Sequence, residues 1–184
     1  HVDLSKGRLR DESLNEEYAR AFVGGSGLAA RIIYDTVRED TDPLGPQNPL
    51  VFLTGPLVGT AMPSAGRDSV CALSPLTRIW GEANSGGFFG PELRFAGYDG
   101  VMIRGSSSSP VWLSIVEGKP QLHDASSLWG SDSYETQQMV RNALGDQKAR
   151  VACIGVAGEN KVKMAAVMND HGRAAGRTGM GAVM

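Results

Sequence analysis

Residues 50–59 read Leu50-Val51-Phe52-Leu53-Thr54-Gly55-Pro56-Leu57-Val58-Gly59. A short apolar run closed by Gly-Pro is the pattern of a strand buried on both faces. A second run, Ser69 to Leu73, ends at Ser74-Pro75 and reads as its partner. The pattern returns in the second half: Arg150 to Ile154 is strand-like and leads into Gly155-Val156-Ala157-Gly158, and Lys163 to Met168 follows it. Thr54 to Gly59 then corresponds to Ile154 to Gly158, and Val70 to Ser74 to Ala165 to Asn169. The identities between the halves are few, so duplication and chance similarity both stay open.

Working outward, each pair of strands is preceded by a hairpin and a helix. Val2-Asp3-Leu4 and Leu9-Arg10 flank the turn Ser5-Lys6-Gly7-Arg8. Asn15 is an N-cap for a helix with Glu16 and Glu17 in its first turn, where carboxylates complement the dipole. Gly24-Gly25-Ser26-Gly27 interrupts it, and Leu28 to Val37 reads as a second helix. In the other half, Val111 to Val116 and Gln121 to His123 flank Glu117-Gly118-Lys119-Pro120. There Ser131 or Asp132 caps a helix over Tyr134–Leu144. Gly100 to Ile103 adds one more strand. The expected class is α+β: two mostly antiparallel sheets with a few helices, arranged as an internally duplicated, pseudo-two-fold sandwich or pseudobarrel.

Composition narrows the function. The 184 residues carry 18 basic and 20 acidic side chains, a net charge of -2. That balance offers no basic stripe for nucleic acid and no polybasic membrane anchor. No apolar span of membrane length and no signal peptide stands out, so a soluble cytoplasmic protein is expected. Length fits one domain, residues 1–184. The chain begins at His1 and stops at Met184 directly after an apolar run, as a piece of a longer chain would. Cys71 and Cys153 lie far apart in strand-like runs and read as buried small hydrophobes.

Glycine is the anomaly, with 24 residues against a usual share of roughly 7%. One cluster is Ala83-Asn84-Ser85-Gly86-Gly87-Phe88-Phe89-Gly90, beside Pro63-Ser64-Ala65-Gly66-Arg67-Asp68-Ser69. Gly86 and Gly87 let backbone N–H groups approach an anion, and the Arg67 guanidinium can grip phosphate twice. The plainer alternative is a tight turn over the core. The other cluster runs Asn169-Asp170-His171-Gly172-Arg173-Ala174-Ala175-Gly176-Arg177-Thr178-Gly179-Met180-Gly181. Two arginines separated by small residues suit a flat or charged ligand; a surface turn with solvated arginines is the alternative. Neither cluster is a P-loop or a dinucleotide fingerprint. The histidines have no metal-ligand spacing, and no nucleophile has a base near it in sequence.

Several long motifs resemble one family. They are Thr54-Gly55-Pro56-Leu57, Ser74-Pro75-Leu76-Thr77, the run from Ala83 to Asp99, Asp124-Ala125-Ser126 with Trp129-Gly130, Ala157-Gly158-Glu159-Asn160, and Met168 to Arg177. Together, and in order, they resemble the N-terminal domain of the tungsten-containing aldehyde ferredoxin oxidoreductases. The resemblance implies a platform beneath a tungsten, or molybdenum, bis-pyranopterin. It implies a magnesium ion bridging the pterin phosphates, held in part by the backbone carbonyls of Asn84 and Ala174. Arg67 matches a pterin and phosphate contact, and Ser85, Gly86, Gly87, Arg173, Ala175, Gly176 and Arg177 would line the same surface. Ala65 and Thr178 stand where members often have glycine.

By the same resemblance the 4Fe-4S cluster, the catalytic acid/base groups and the rest of the pterin site belong to C-terminal domains outside these residues. No catalytic residue is therefore assigned here. The implied reaction of the parent oxidises an aldehyde to a carboxylic acid and passes electrons to ferredoxin. Partners are then the chain's own C-terminal domains, ferredoxin and a small aldehyde, with homodimerisation left open. Two alternatives stay beside it. One is the same platform in a relative that reduces an aromatic acyl-thioester or oxidises a sugar-phosphate aldehyde. The other is a free-standing phosphate-binding module.

Overall fold

The computed structural model describes all 184 residues. The first hairpin is two short strands, β1 (Val2–Asp3) and β2 (Arg8–Leu9). Helix α1 (Glu16–Phe22) follows, with the Asn15 side chain accepting from the Tyr18 N–H, and then α2 (Gly25–Thr36). α2 starts three residues earlier than its apolar pattern suggests, because glycines carry no face to read. Next come β3 (Leu50–Thr54), β4 (Asp68–Leu73), β5 (Trp80–Ser85), α3 (Phe89–Phe95) and β6 (Gly100–Arg104). All these strands join one sheet in the order β2-β1-β6-β3-β4-β5.

The second half also opens with a hairpin and a helix, but its later order differs. It contains the hairpin β7 (Val111–Val116) and β8 (Lys119–Asp124), then α4 (Ser133–Leu144), β9 (Ala152–Cys153), α5 (Val156–Glu159), β10 (Val167–Asn169), β11 (Arg173–Ala175) and α6 (Met180–Val183). Asp132 caps α4 in a full capping box with Glu135, and Gly145 ends it in the left-handed region. β9, β10 and β11 form a three-stranded antiparallel sheet, and the second hairpin is a sheet of its own.

The architecture is thus a mixed α/β domain, and three expectations need correcting. There are three sheets, not two. The pairing is mostly antiparallel, as expected; the single parallel pair, β1 with β6, makes the largest sheet mixed. No sheet closes into a barrel: β5 and β11 end their own sheets and pack against each other without laddering. The residues Asn84, Ser85, Arg173, Ala174 and Ala175, read as loop, lie in β5 and β11. No helix is long and apolar enough to cross a membrane.

Strand alternation sorts the core into two layers. Leu50, Phe52, Val70, Ala72 and Ala83 face the small sheet and α6, meeting Val167, Ala175 and Met180. Val51, Leu53 and Cys71 face α2, meeting Leu28, Ala29 and Ile33. Both cysteines are buried and free, and burial pushes the Cys71 thiol up to about 12 and the Cys153 thiol up to about 11. They are inert packing groups.

Candidate functional site

The first glycine cluster and the Asn169–Arg173 part of the second come together at one end of the large sheet. That end holds the C-terminus of β3, the N-terminus of β4, the C-terminus of β5 and the start of α3. The small sheet reaches the same place through the C-terminus of β10 and the N-terminus of β11. The joint between the halves is polar and buried. Ser85 Oγ donates to Asn169 Oδ1 at 2.5 Å, and Asn169 Nδ2 donates to the Gly86 carbonyl at 3.0 Å. The Phe88 N–H donates to Asp170 Oδ2 at 2.5 Å, and Arg150 pairs with Asp170 Oδ1 at 3.1 Å. The Arg150 guanidinium also lies over the Phe88 ring, 4.8 Å from its centroid.

Beneath this joint sits Asp68, 2% exposed and directly opposite Ser85 on the neighbouring strand. Its Oδ1 has no hydrogen-bond partner. Burial pushes its carboxyl up to about 7; its own backbone N–H opposes the shift and the Asp170 charge adds to it. Asp68, Asn169 and Asp170 were in view as loop residues but carried no expected role. Only Asp68 left a trace in the sequence: a lone carboxylate opening an otherwise apolar strand. The Asn169 and Asp170 contacts to the first cluster span more than eighty positions of chain, and no local pattern encodes them.

The expected site residues fall into four groups. Arg67, Arg173 and Arg177 are exposed and have no carboxylate partner, whereas Arg20, Arg31, Arg94 and Arg150 each pair with one. Asn84 and Ala174 lie on the facing edge strands, where one alternate set of backbone groups has no neighbouring strand to bond. Ser85 and Ala175 bury their side chains, at 3% and 1% exposure, so only their backbones can meet a ligand. Gly86 and Gly176 have open space where a Cβ would stand, while at Gly87 (φ 101) a Cβ would collide with Asp170.

The second cluster is divided by the fold. Arg173 stands at the polar joint, opposite Asn169 on β10. The chain then runs away from it along β11, so Arg177 lies toward the other end, where Gly179 packs against Pro75. No group of three or more His, Cys, Asp or Glu side chains is arranged to hold a metal. What the end of the sheet offers is unpaired guanidinium groups, two free strand edges and glycines with open space before them. Such a set suits a large anionic ligand held by backbone and arginine, with any hard cation bound through carbonyls and the ligand's own oxygens.

This is a mixed α/β domain with an arginine- and glycine-lined edge, and comparison with known proteins gives its family. The whole chain, residues 1–184, matches the profile described as aldehyde ferredoxin oxidoreductase, N-terminal domain, and the chain belongs to that family. It is 45% identical over 183 residues to the tungsten-containing aldehyde ferredoxin oxidoreductases of Pyrococcus horikoshii and Pyrococcus furiosus. All of this chain is covered, but it spans only 30% of the length of those relatives. Among solved structures it superposes on the active-site complex BamBC of benzoyl coenzyme A reductase bound to 1,5-dienoyl-CoA. The TM-score there is 0.97 with 38% identity, over all of this chain and 28% of the other.

Proposed function

We propose that residues 1–184 are the single cofactor-platform domain of a longer enzyme that oxidises aldehydes to carboxylic acids, with ferredoxin as electron acceptor. The observation that carries this reading is the facing pair of open strand edges flanked by unpaired arginines. The residues fit the family's tungsten, or molybdenum, bis-pyranopterin: open space lies before Gly86 and Gly176, and no carboxylate competes for Arg67, Arg173 or Arg177. When bound, that group supplies the two-electron oxidation; the protein's share here is binding and orientation.

Arg67 and Arg173 would neutralise the pterin phosphates at the joint, and Arg177 would do so farther along β11. The backbone of Ser85, Gly86, Gly87, Ala175 and Gly176 would line the surface. The Asn84 and Ala174 carbonyls would ligate a magnesium ion, with phosphates and waters completing its octahedron. The 4Fe-4S cluster, the catalytic acid/base groups and the substrate pocket would come from further domains, to which exposed Phe88 and Phe95 at 59% and 68% offer apolar docking surface.

A second reading keeps the platform and changes the substrate. The close superposition on a benzoyl coenzyme A reductase complex favours an aromatic acyl-thioester as its substrate. Turnover with an aldehyde and with an aromatic acyl-thioester, each on the full-length enzyme, separates the two. The platform itself is tested by Arg67→Ala and Arg173→Ala in the full-length enzyme. Tungsten and molybdenum per protomer should fall several-fold in each, while the thermal midpoint barely moves. Full metal loading in both variants defeats the assignment.

A further inference from the structure

The end of the sheet that gathers the arginines carries a third backbone surface. α2 is 12 residues long and opens with Gly24-Gly25-Ser26-Gly27. The first N–H groups of a helix have no partner within it, and together they carry about half a positive charge. In α1 and α4 a side chain, Asn15 or Asp132, accepts from that turn and acidic residues follow. In α2 the N-cap is Gly24, no side chain caps it, and its first turn holds no acid.

A second, independent feature points into the same place. Ser69 on β4 is 5% exposed and its hydroxyl makes no hydrogen bond. Its Oγ lies 3.6 Å from where a Cβ on Gly25 would stand, so it faces the open helix end. Ser69 is directly opposite Asn84 on β5 and two residues from Arg67. Alongside runs a cleft of about 330 Å³ whose wall includes Val23, Gly24, Leu28, Thr54, Gly55 and Pro56. The carboxylates on its rim, Glu16 and Asp99, are engaged by Arg20 and Arg94. Glu82, on the Ser69 face of the sheet, is turned to Asn84 Nδ2 at 2.6 Å.

We propose that the N-terminus of α2, with the hydroxyls of Ser26 and Ser69, is a binding site for a phosphate group at the margin of the platform. Backbone N–H groups, two hydroxyl donors and a neighbouring Arg67 are the donor set a phosphate oxygen takes. Gly25 leaves nothing but Ser69 Oγ before it, whereas Gly24 and Gly27 allow close packing on Thr54–Pro56 and on the Phe22 carbonyl. The inference rests on the platform reading above, since it is that reading which brings a phosphate-bearing molecule to this edge. The phosphate belongs either to the cofactor or to a phosphate-bearing substrate such as a coenzyme A thioester.

Ser26→Asp in the full-length enzyme tests it, because a carboxylate there satisfies the helix end from within and repels an incoming anion. The thermal midpoint of the cofactor-free enzyme should rise. If the phosphate is the cofactor's, tungsten and pterin per protomer fall at least threefold. If it is the substrate's, loading stays full and the KM for a coenzyme A thioester rises at least fivefold. In that case kcat and the KM for a neutral aldehyde stay unchanged. Ser69→Ala, which adds no charge, should shift the same quantity about twofold. A raised midpoint with loading and both KM values unchanged, in both variants, overturns the site and leaves the platform standing. Normal loading in Arg67→Ala and Arg173→Ala overturns the platform whatever Ser26→Asp does.

Discussion

The two glycine-rich segments that meet at the end of the sheet are held in opposite ways. Gly86 to Phe88 is braced from beneath: Asn169 takes its carbonyl, Asp170 takes its N–H, and Ser85 ties the strand before it to Asn169. The segment from Asp170 to Gly179 instead carries conformational strain. Asp170, His171 and Arg177 all have positive φ, at 43°, 53° and 70°, and Arg173 and Arg177 face solvent without a counter-ion. Left-handed backbone in non-glycine residues costs on the order of 1 kcal/mol or more each. The first segment is complete as it stands; the second has cations and strain that a bound anion would offset. If this surface binds the proposed cofactor, one jaw is rigid and the other gains from its ligand.

The largest effect expected is on the rigid jaw. At Gly87 a Cβ would run into the Asp170 carboxylate, and φ is 101°. Gly87→Ala should therefore destabilise by about 3 kcal/mol, combining backbone strain with displacement of a buried carboxylate from its donors. Chemical denaturation reads this directly. A loss under about 0.5 kcal/mol would mean that Asp170 does not brace the loop.

A smaller effect concerns the carboxyl beneath both jaws. Asp68 is raised from 3.8 to about 7 by burial, with the Asp170 charge adding to the shift. A folded-state carboxyl above its unfolded value binds more protons when folded, so stability falls as pH rises. Asp68 contributes fully below about pH 4, loses that contribution as the pH climbs to about 7, and is flat beyond. Asp68→Asn should flatten the curve between these limits; an unchanged slope would place the titration elsewhere.

How much of this could be read in the residues follows from where the information lies. The hairpins, α4 and its Asp132 cap, and the apolar strands β3 and β4 are local patterns, and the structure places them within a residue or two. β5 was hidden because Trp80-Gly81-Glu82-Ala83-Asn84-Ser85 reads as glycine-rich loop, although its burial alternates once it is paired with β4. The parallel β1–β6 pair joins residues at opposite ends of the first half, which no periodicity reports. In the candidate site, arginines and glycines were legible by type. The braces Asn169 and Asp170 were not, since each acts through a contact made only in the fold.

The smallest effect separates strain from binding in the second jaw. Arg177 is exposed, unpaired and at φ 70°, whereas Arg173 sits in regular strand geometry on β11. Glycine adopts positive φ at no steric cost, so Arg177→Gly should stabilise the cofactor-free protein by about 0.5–1 kcal/mol, after glycine's own entropy is counted. Yet it removes a cation from the proposed cofactor surface, so metal per protomer in the full-length enzyme should fall. Arg173→Ala should lower loading without the gain in stability. Opposite signs in Arg177→Gly are the mark of strain held in place for a ligand. If loading and stability rise together, the left-handed arginine is only a turn, and the contrast between the two jaws reduces to one braced loop beside a loose one.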